Sequence, residues 1–145
     1  MLFEANPGEK IDIREQSPLS LAFVGDGVFE LLVRARLVEY TRLVPNQLHR
    51  HAVRFVSARG QCLGLEAILP LLDEEELAVV RRGKNASKAT VAKHATPQEY
   101  RASTALEALF GWLYLQKRET RIYELFSKVW DAIDAAAQDV YKRQL

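Results

Sequence analysis

Leu21-Ala22-Phe23-Val24-Gly25-Asp26-Gly27-Val28-Phe29-Glu30 sets one carboxylate between two glycines in an otherwise apolar run. Read as a helix, the run puts Ala22, Phe23, Asp26, Glu30 and Val33 on one face, because residues three and four apart are neighbours there. Glycine inside a helix costs about 1 kcal/mol relative to alanine. Two of them imply that a backbone, a ligand or another helix comes close at that point. An aspartate beside such an approach needs a cation, a hydrogen-bond donor or a metal. Two readings stay open from this stretch alone. One is a buried aspartate satisfied by a backbone N–H or an arginine; the other is a functional site.

Working outward, Ser17-Pro18 opens the helix with a capping serine and a proline at the first helical position. Its apolar positions wrap more than one face, so it is covered on several sides, either centrally in the fold or at a subunit interface. Residues 1–16 read as an irregular arm, with a turn at Asn6-Pro7-Gly8. A second helix is expected from about Asn46 to Leu65. Leu48, Ala52, Phe55, Val56 and Leu63 form its core face, His49, Arg50, His51, Arg54 and Arg59 its basic flank, and Gly60 and Gly64 are candidate bends. Asp73-Glu74-Glu75-Glu76 reads as a capped start, leading through Val79-Val80 to Arg81-Arg82-Gly83. From Gly83 to Ala95 periodicity is lost, and the segment reads as an exposed basic loop. Thr96-Pro97-Gln98-Glu99 then combines N-cap, first-turn proline and capping-box glutamate, starting a helix that runs to about Lys117. A last helix spans about Thr120 to Ala137. No strand alternation is present, so the expected fold is an all-α helical bundle.

A chain of 145 residues is one domain with a single core. Its net charge of +1 hides an asymmetry. Residues 41–65 hold four arginines and no acid, and residues 81–101 hold six Lys/Arg against Glu99 alone. Such segments suit a polyanion on one face. The lone Cys62 excludes an intramolecular disulfide, and the three histidines show no zinc-ligand spacing with it. No signal peptide and no apolar run near membrane length is present, so a cytoplasmic protein without a membrane span is expected. Residues 1–138 are taken as the domain. Asp139-Val140-Tyr141-Lys142-Arg143-Gln144 resembles the in-frame translation of a sequencing-library adaptor, which makes 139–145 a non-native tail; a short polar helix end is the alternative.

Glu107 repeats the oddity of Asp26. It is the only acid between Glu99 and Glu119, its neighbours are small or apolar, and Gly111 follows one helical turn on. Two half-buried carboxylates on two helices of one small bundle can face each other across a cleft. They then suit a hard divalent cation such as Mg²⁺, which binds through one or two carboxylates and fills its shell with water and phosphate oxygens. With two basic segments nearby, the matching substrate is a phosphodiester backbone.

Phe23-Val24-Gly25-Asp26-Gly27-Val28 resembles the signature of the ribonuclease III family, and Glu107-Ala108-Leu109-Phe110-Gly111 its second acidic motif. Leu48-His49-Arg50, Phe55-Val56-Ser57-Ala58, Arg81-Arg82-Gly83-Lys84-Asn85-Ala86 and Tyr100 to Leu109 are similar to the compact Mini-ribonuclease III branch, which lacks a double-stranded-RNA-binding domain. The likeness runs from about Ser17 to Ile133. It departs from the larger enzymes at two places: Ala22 stands where they have a glutamate and Thr104 where they have an aspartate, leaving two direct carboxylate ligands. The resemblance implies a dimeric catalytic domain of that family, assembled through the signature helix. It implies Mg²⁺-dependent hydrolysis of double-stranded RNA, with Asp26 and Glu107 as metal-binding catalytic residues. It also implies maturation of the 5′ and 3′ ends of the large-subunit (23S) ribosomal RNA precursor, leaving 5′-phosphate and 3′-hydroxyl ends. Arg50, Arg54, Lys84, Asn85, Lys88, Lys93 and Arg101 are the candidate RNA contacts, and ribosomal proteins are further candidate partners. The competing expectation is a non-catalytic dimeric RNA-binding or ribosome-assembly module with the same fold.

Overall fold

A computed structural model describes residues 8–87 and 95–144, with side chains through Asp139. After a 3₁₀ turn at Ile13–Glu15, six helices follow: α1 Pro18–Tyr40, α2 Pro45–Val56, α3 Ala58–Ile68, α4 Glu74–Ala86, α5 Pro97–Leu115 and α6 Glu119–Gln144. A second 3₁₀ turn, Leu69–Leu71, lies between α3 and α4. Among the described residues there is no strand, as the sequence leads one to expect.

Helices begin where local chemistry places their caps. Ser17 Oγ accepts from Ser20 N at 3.1 Å. The Asp73 carboxylate accepts from Glu76 N at 2.8 Å, and Asp73 N donates back to Glu76 Oε1 at 3.0 Å. Thr96 and Glu99 form the same reciprocal pair at 3.0 and 2.9 Å. Each box satisfies two backbone donors that a helix start otherwise leaves open.

The centre of the bundle is α5. From Ala102 to Leu113 every residue is buried except the half-buried Glu107. Helices α1, α3, α4 and α6 pack around it. Phe29 of α1 meets Phe110 and Phe126 edge-on, each at 5.8 Å between ring centres, and Trp130 stacks on Phe55 at 3.9 Å. Arg36 lies over the Phe126 and Trp130 rings, adding cation–π attraction to the α1–α6 contact. Glu76 is fully buried. Arg121 of α6 grips both its oxygens, at 2.8 and 2.7 Å, and also donates to Leu71 O. That guanidinium holds the Glu76 carboxyl below the usual range. The pair fastens the start of α4 to α6.

Three expectations need correction, and one choice narrows. Of the two placements open to α1, the central one does not hold within the chain: Leu21, Gly25, Phe29, Val33 and Leu37 are buried, while Phe23, Leu31 and Val38 point outward. The helix expected over 46–65 is two helices broken at Ser57, not bent at Gly60 or Gly64. Ser57 is extended, its Oγ accepting from Gly60 N and donating to Arg54 O, both at 3.1 Å. A Cβ on Gly60 would strike the Arg54 carbonyl, so that glycine permits the sharp junction. The loop expected over 83–95 fails at its start, because α4 continues to Ala86, and residues 88–94 of it lie outside the described residues. Gly83 packs directly on α5, where an added Cβ would lie 2.9 Å from Ala105 Cα; this tertiary contact outweighs the weak helical propensity of the segment. At the other end, α6 runs past Ala137 to Gln144.

Candidate active site

Helices α1 and α5 cross at two glycines. A Cβ on Gly25 would collide with the Glu107 carbonyl, and one on Gly111 with the Leu21 carbonyl. The backbones are therefore nearly in contact where Asp26 follows Gly25 and where Glu107 begins the turn that ends in Gly111. Gly27 is different: a Cβ there meets nothing within 4 Å. Of the two glycines flanking Asp26, only Gly25 is explained by packing within the chain.

The crossing brings the Asp26 and Glu107 carboxyls within hydrogen-bonding reach. Burial is the largest cause that pushes Glu107 up, to about 8; the hydrogen bond to Asp26 comes next, then the negative charges of Asp26 and Glu30. Asp26 itself is exposed, and none of the ion pairs among the described residues engages it. The reading in which an arginine satisfies it fails on that ground. Glu30, one turn further along α1, is held by Arg34 at 2.9 Å. Among the described residues no three His, Cys, Asp or Glu side chains converge tightly enough to hold one ion. Two carboxylates, one desolvated and reluctant to ionise beside the other, nevertheless fit a hard divalent cation. Such an ion takes one or two protein carboxylates and completes its shell with water, and its charge would offset both the burial and the repulsion that raise Glu107.

The basic residues fall into separate groups. Lys84 and Arg101, with Gln98, Cys62 and Glu66, line a cavity of about 240 Å³ between α3, α4 and α5. Asn85 is exposed beside Lys84 on the last turn of α4. Arg50 and Arg54 are exposed on α2, which packs mainly on α1, α3 and α6. Lys88 and Lys93 lie outside the described residues.

The Ribonuclease III domain model matches residues 19–118 of this chain, a span holding both glycines of the crossing and both carboxylates. The chain belongs to the ribonuclease III family. Curated relatives place it in the Mini-ribonuclease III branch, as an endoribonuclease of that family. The Mini-ribonuclease 3 of Symbiobacterium thermophilum is 45% identical over 117 residues, covering 81% of this chain and 90% of that protein. That of Staphylococcus aureus is 40% identical over 119 residues, covering 81% and 89%. A crystal structure of a Fusobacterium nucleatum protein, 34% identical, superposes with a TM-score of 0.76 over 84% of this chain and 98% of that one.

Against this ribonuclease III framework the two departures acquire a structural meaning. Ala22 is buried on the inner side of α1. Thr104, one turn before Glu107, is buried with its hydroxyl 3.1 Å from Tyr100 O and 3.3 Å from Ser87 Oγ. The position thus ties the end of α4 to α5. Sequence reasoning missed this hydroxyl pair. Its only trace is a polar residue on the Glu107 face of an otherwise apolar helix.

Proposed function

We propose that this endoribonuclease is specific for double-stranded RNA, acts as a homodimer in the cytoplasm, and uses Mg²⁺ held by Asp26 and Glu107. The observation that carries the reading is the meeting of these two carboxylates at the glycine crossing. When bound, the ion supplies a water acidic enough to attack at neutral pH and offsets charge on the phosphate. The chain does the rest. Asp26 offers exposed oxygens at the surface of the crossing. Glu107, raised to about 8 by burial and by Asp26, would give up its proton to hold such an ion. Hydrolysis adds the water oxygen to phosphorus and returns a proton to the departing 3′ oxygen, leaving 5′-phosphate and 3′-hydroxyl ends. Lys84, Asn85 and Arg101 on one flank and Arg50 and Arg54 on the other contact phosphates. They position an A-form duplex without reading its bases, whose deep groove is closed to side chains. Lys88 and Lys93 extend this set.

The dimer reading is supported by the outward side of α1. Phe23 is 84% exposed, and beside it Val24, Gly27, Leu31, Tyr114 and Tyr123 rim an apolar cavity of about 380 Å³. A contiguous apolar surface of this kind marks an interaction site, and an open glycine on it leaves room for a partner. The substrate proposed is the double-helical stalk of the 23S ribosomal RNA precursor, with ribosomal proteins as neighbours during processing.

The test is cleavage with Mg²⁺ of an RNA duplex, of its separated strand and of the matching DNA duplex. The RNA duplex alone should be cut. Asp26→Asn should lower that rate by at least about a hundredfold, the lower range for removing a charge-stabilising group from an active site, while its melting transition stays near that of the wild type. Equal cutting of the single strand sinks duplex specificity. Near wild-type cutting by Asp26→Asn sinks the site.

A further inference from the structure

Glu30 stands one helical turn after Asp26 on α1, and its charge reaches Glu107 across the crossing. Among the described residues it does not converge with Asp26 and Glu107 on one point, so the arrangement gives it no place as a third direct ligand. It has one ion-pair partner among them, on its own helix. Arg34 Nη2 donates to Glu30 Oε1 at 2.9 Å, four residues on along the same helix. The second carboxylate oxygen, Oε2, accepts no hydrogen bond from the described residues, and Glu30 is only half-exposed.

A Mg²⁺ ion with two protein carboxylates keeps about four waters if its shell is octahedral. The hydrogens of those waters need acceptors, and acceptors just outside a metal's shell fix its ligands nearly as firmly as the direct bonds do. In this site the neighbouring carboxylate is Glu30. An exposed i,i+4 ion pair on its own contributes only about 0.3–0.5 kcal/mol, so helix stability gives little reason to set a third negative charge beside two others.

We propose that Glu30, steadied by Arg34, is a positioning residue: it accepts a hydrogen bond from water in the shell of the ion held by Asp26 and Glu107, without touching the ion. The inference rests on the metal-site reading above and extends it to the water. Arg34 engages one oxygen and leaves the other without a partner among the described residues. An amide at position 30 keeps an acceptor oxygen but loses the charge; alanine loses both.

The experiment is a titration of the purified protein with Mn²⁺ alone, followed by calorimetry, with a thermal melt in chelator alongside. Four proteins are compared: wild type, Glu30→Ala, Glu30→Gln and Asp26→Asn. Glu30→Ala should bind Mn²⁺ about 10- to 100-fold more weakly, the range for such outer partners. Glu30→Gln should recover a large part of that loss, and neither should melt below the wild type in chelator. Wild-type affinity in Glu30→Ala, with binding lost in Asp26→Asn, reduces Glu30 to a surface ion pair and overturns the proposal. Equal weakening by alanine and glutamine leaves charge as the whole effect and removes the hydrogen-bonding role. Undiminished binding by Asp26→Asn overturns the metal site itself, and this proposal with it.

Discussion

At the scale of single residues, the energetics of the site turn on Glu107. In the metal-free protein its carboxyl is raised from the ordinary 4.5 to about 8. The folded state therefore keeps a proton that the unfolded chain releases above pH 4.5. The sign follows from linkage: the contribution to stability is fully present below about 4.5 and is lost as pH rises through about 8. We expect the melting temperature of the wild type in chelator to fall between pH 5 and pH 8.5 relative to that of Glu107→Gln, which has no proton to lose. At pH 8.5 the variant should melt higher than the wild type, yet cut no RNA. Added Mg²⁺ should raise the wild-type transition and leave the variant unmoved. Parallel pH curves for the two proteins count against the raised pKa. Both carboxylates were legible in the sequence, because an acid in apolar, small-residue surroundings is a costly choice that asks for a reason. The Thr104–Ser87 pair was not, since it joins segments 17 residues apart and neither residue is unusual in its own setting.

At the scale of elements, Asp26 and Glu107 meet because α1 and α5 touch backbone to backbone. Gly25→Ala adds a methyl where the Glu107 carbonyl already lies. The helices must part, and overpacking of this kind costs about 1–3 kcal/mol and sometimes more. The same displacement takes Asp26 away from Glu107. Gly25→Ala should therefore lower both the melting temperature and the Mg²⁺ affinity, whereas a variant that only loosens the core lowers the first alone. Thermal melts in chelator and in saturating Mg²⁺ measure the two; an unchanged Mg²⁺-induced shift means the crossing does not set the site. Helix starts were readable from sequence because a capping box involves only four neighbouring residues, as at Asp73–Glu76 and Thr96–Glu99. Ends and breaks were not. The continuation of α4 to Ala86 depends on Gly83 meeting α5, and the break at Ser57 depends on one hydroxyl favouring a new cap over a continuous helix.

At the scale of the whole molecule, the chain carries an apolar side and two basic flanks, which the proposed dimer on RNA would use together. Phe23 contributes almost nothing to the core of its own chain, so Phe23→Glu should leave the protomer folded. It should also convert a dimer at low micromolar concentration into a monomer by sedimentation, whereas a wild-type protein that sediments as a monomer removes the dimer. The basic flanks are separable in the same spirit. Lys84 and Arg101 share one cavity beside α5, while Arg50 and Arg54 occupy α2. Depriving one phosphate of its cation should flatten the dependence of log affinity on log salt by about 0.9 on the DNA-duplex scale. Lys84→Ala with Arg101→Ala should thus weaken duplex RNA binding most at low salt and raise KM more than it lowers kcat, because these side chains hold backbone and leave the carboxylates untouched. Neither forms an ion pair among the described residues, so the melting temperature should move little. Binding titrations across salt concentrations decide the matter. If affinity and slope both stay at wild-type values, the cavity between α3, α4 and α5 lies off the path of the duplex, and the RNA is held by the arginines of α2.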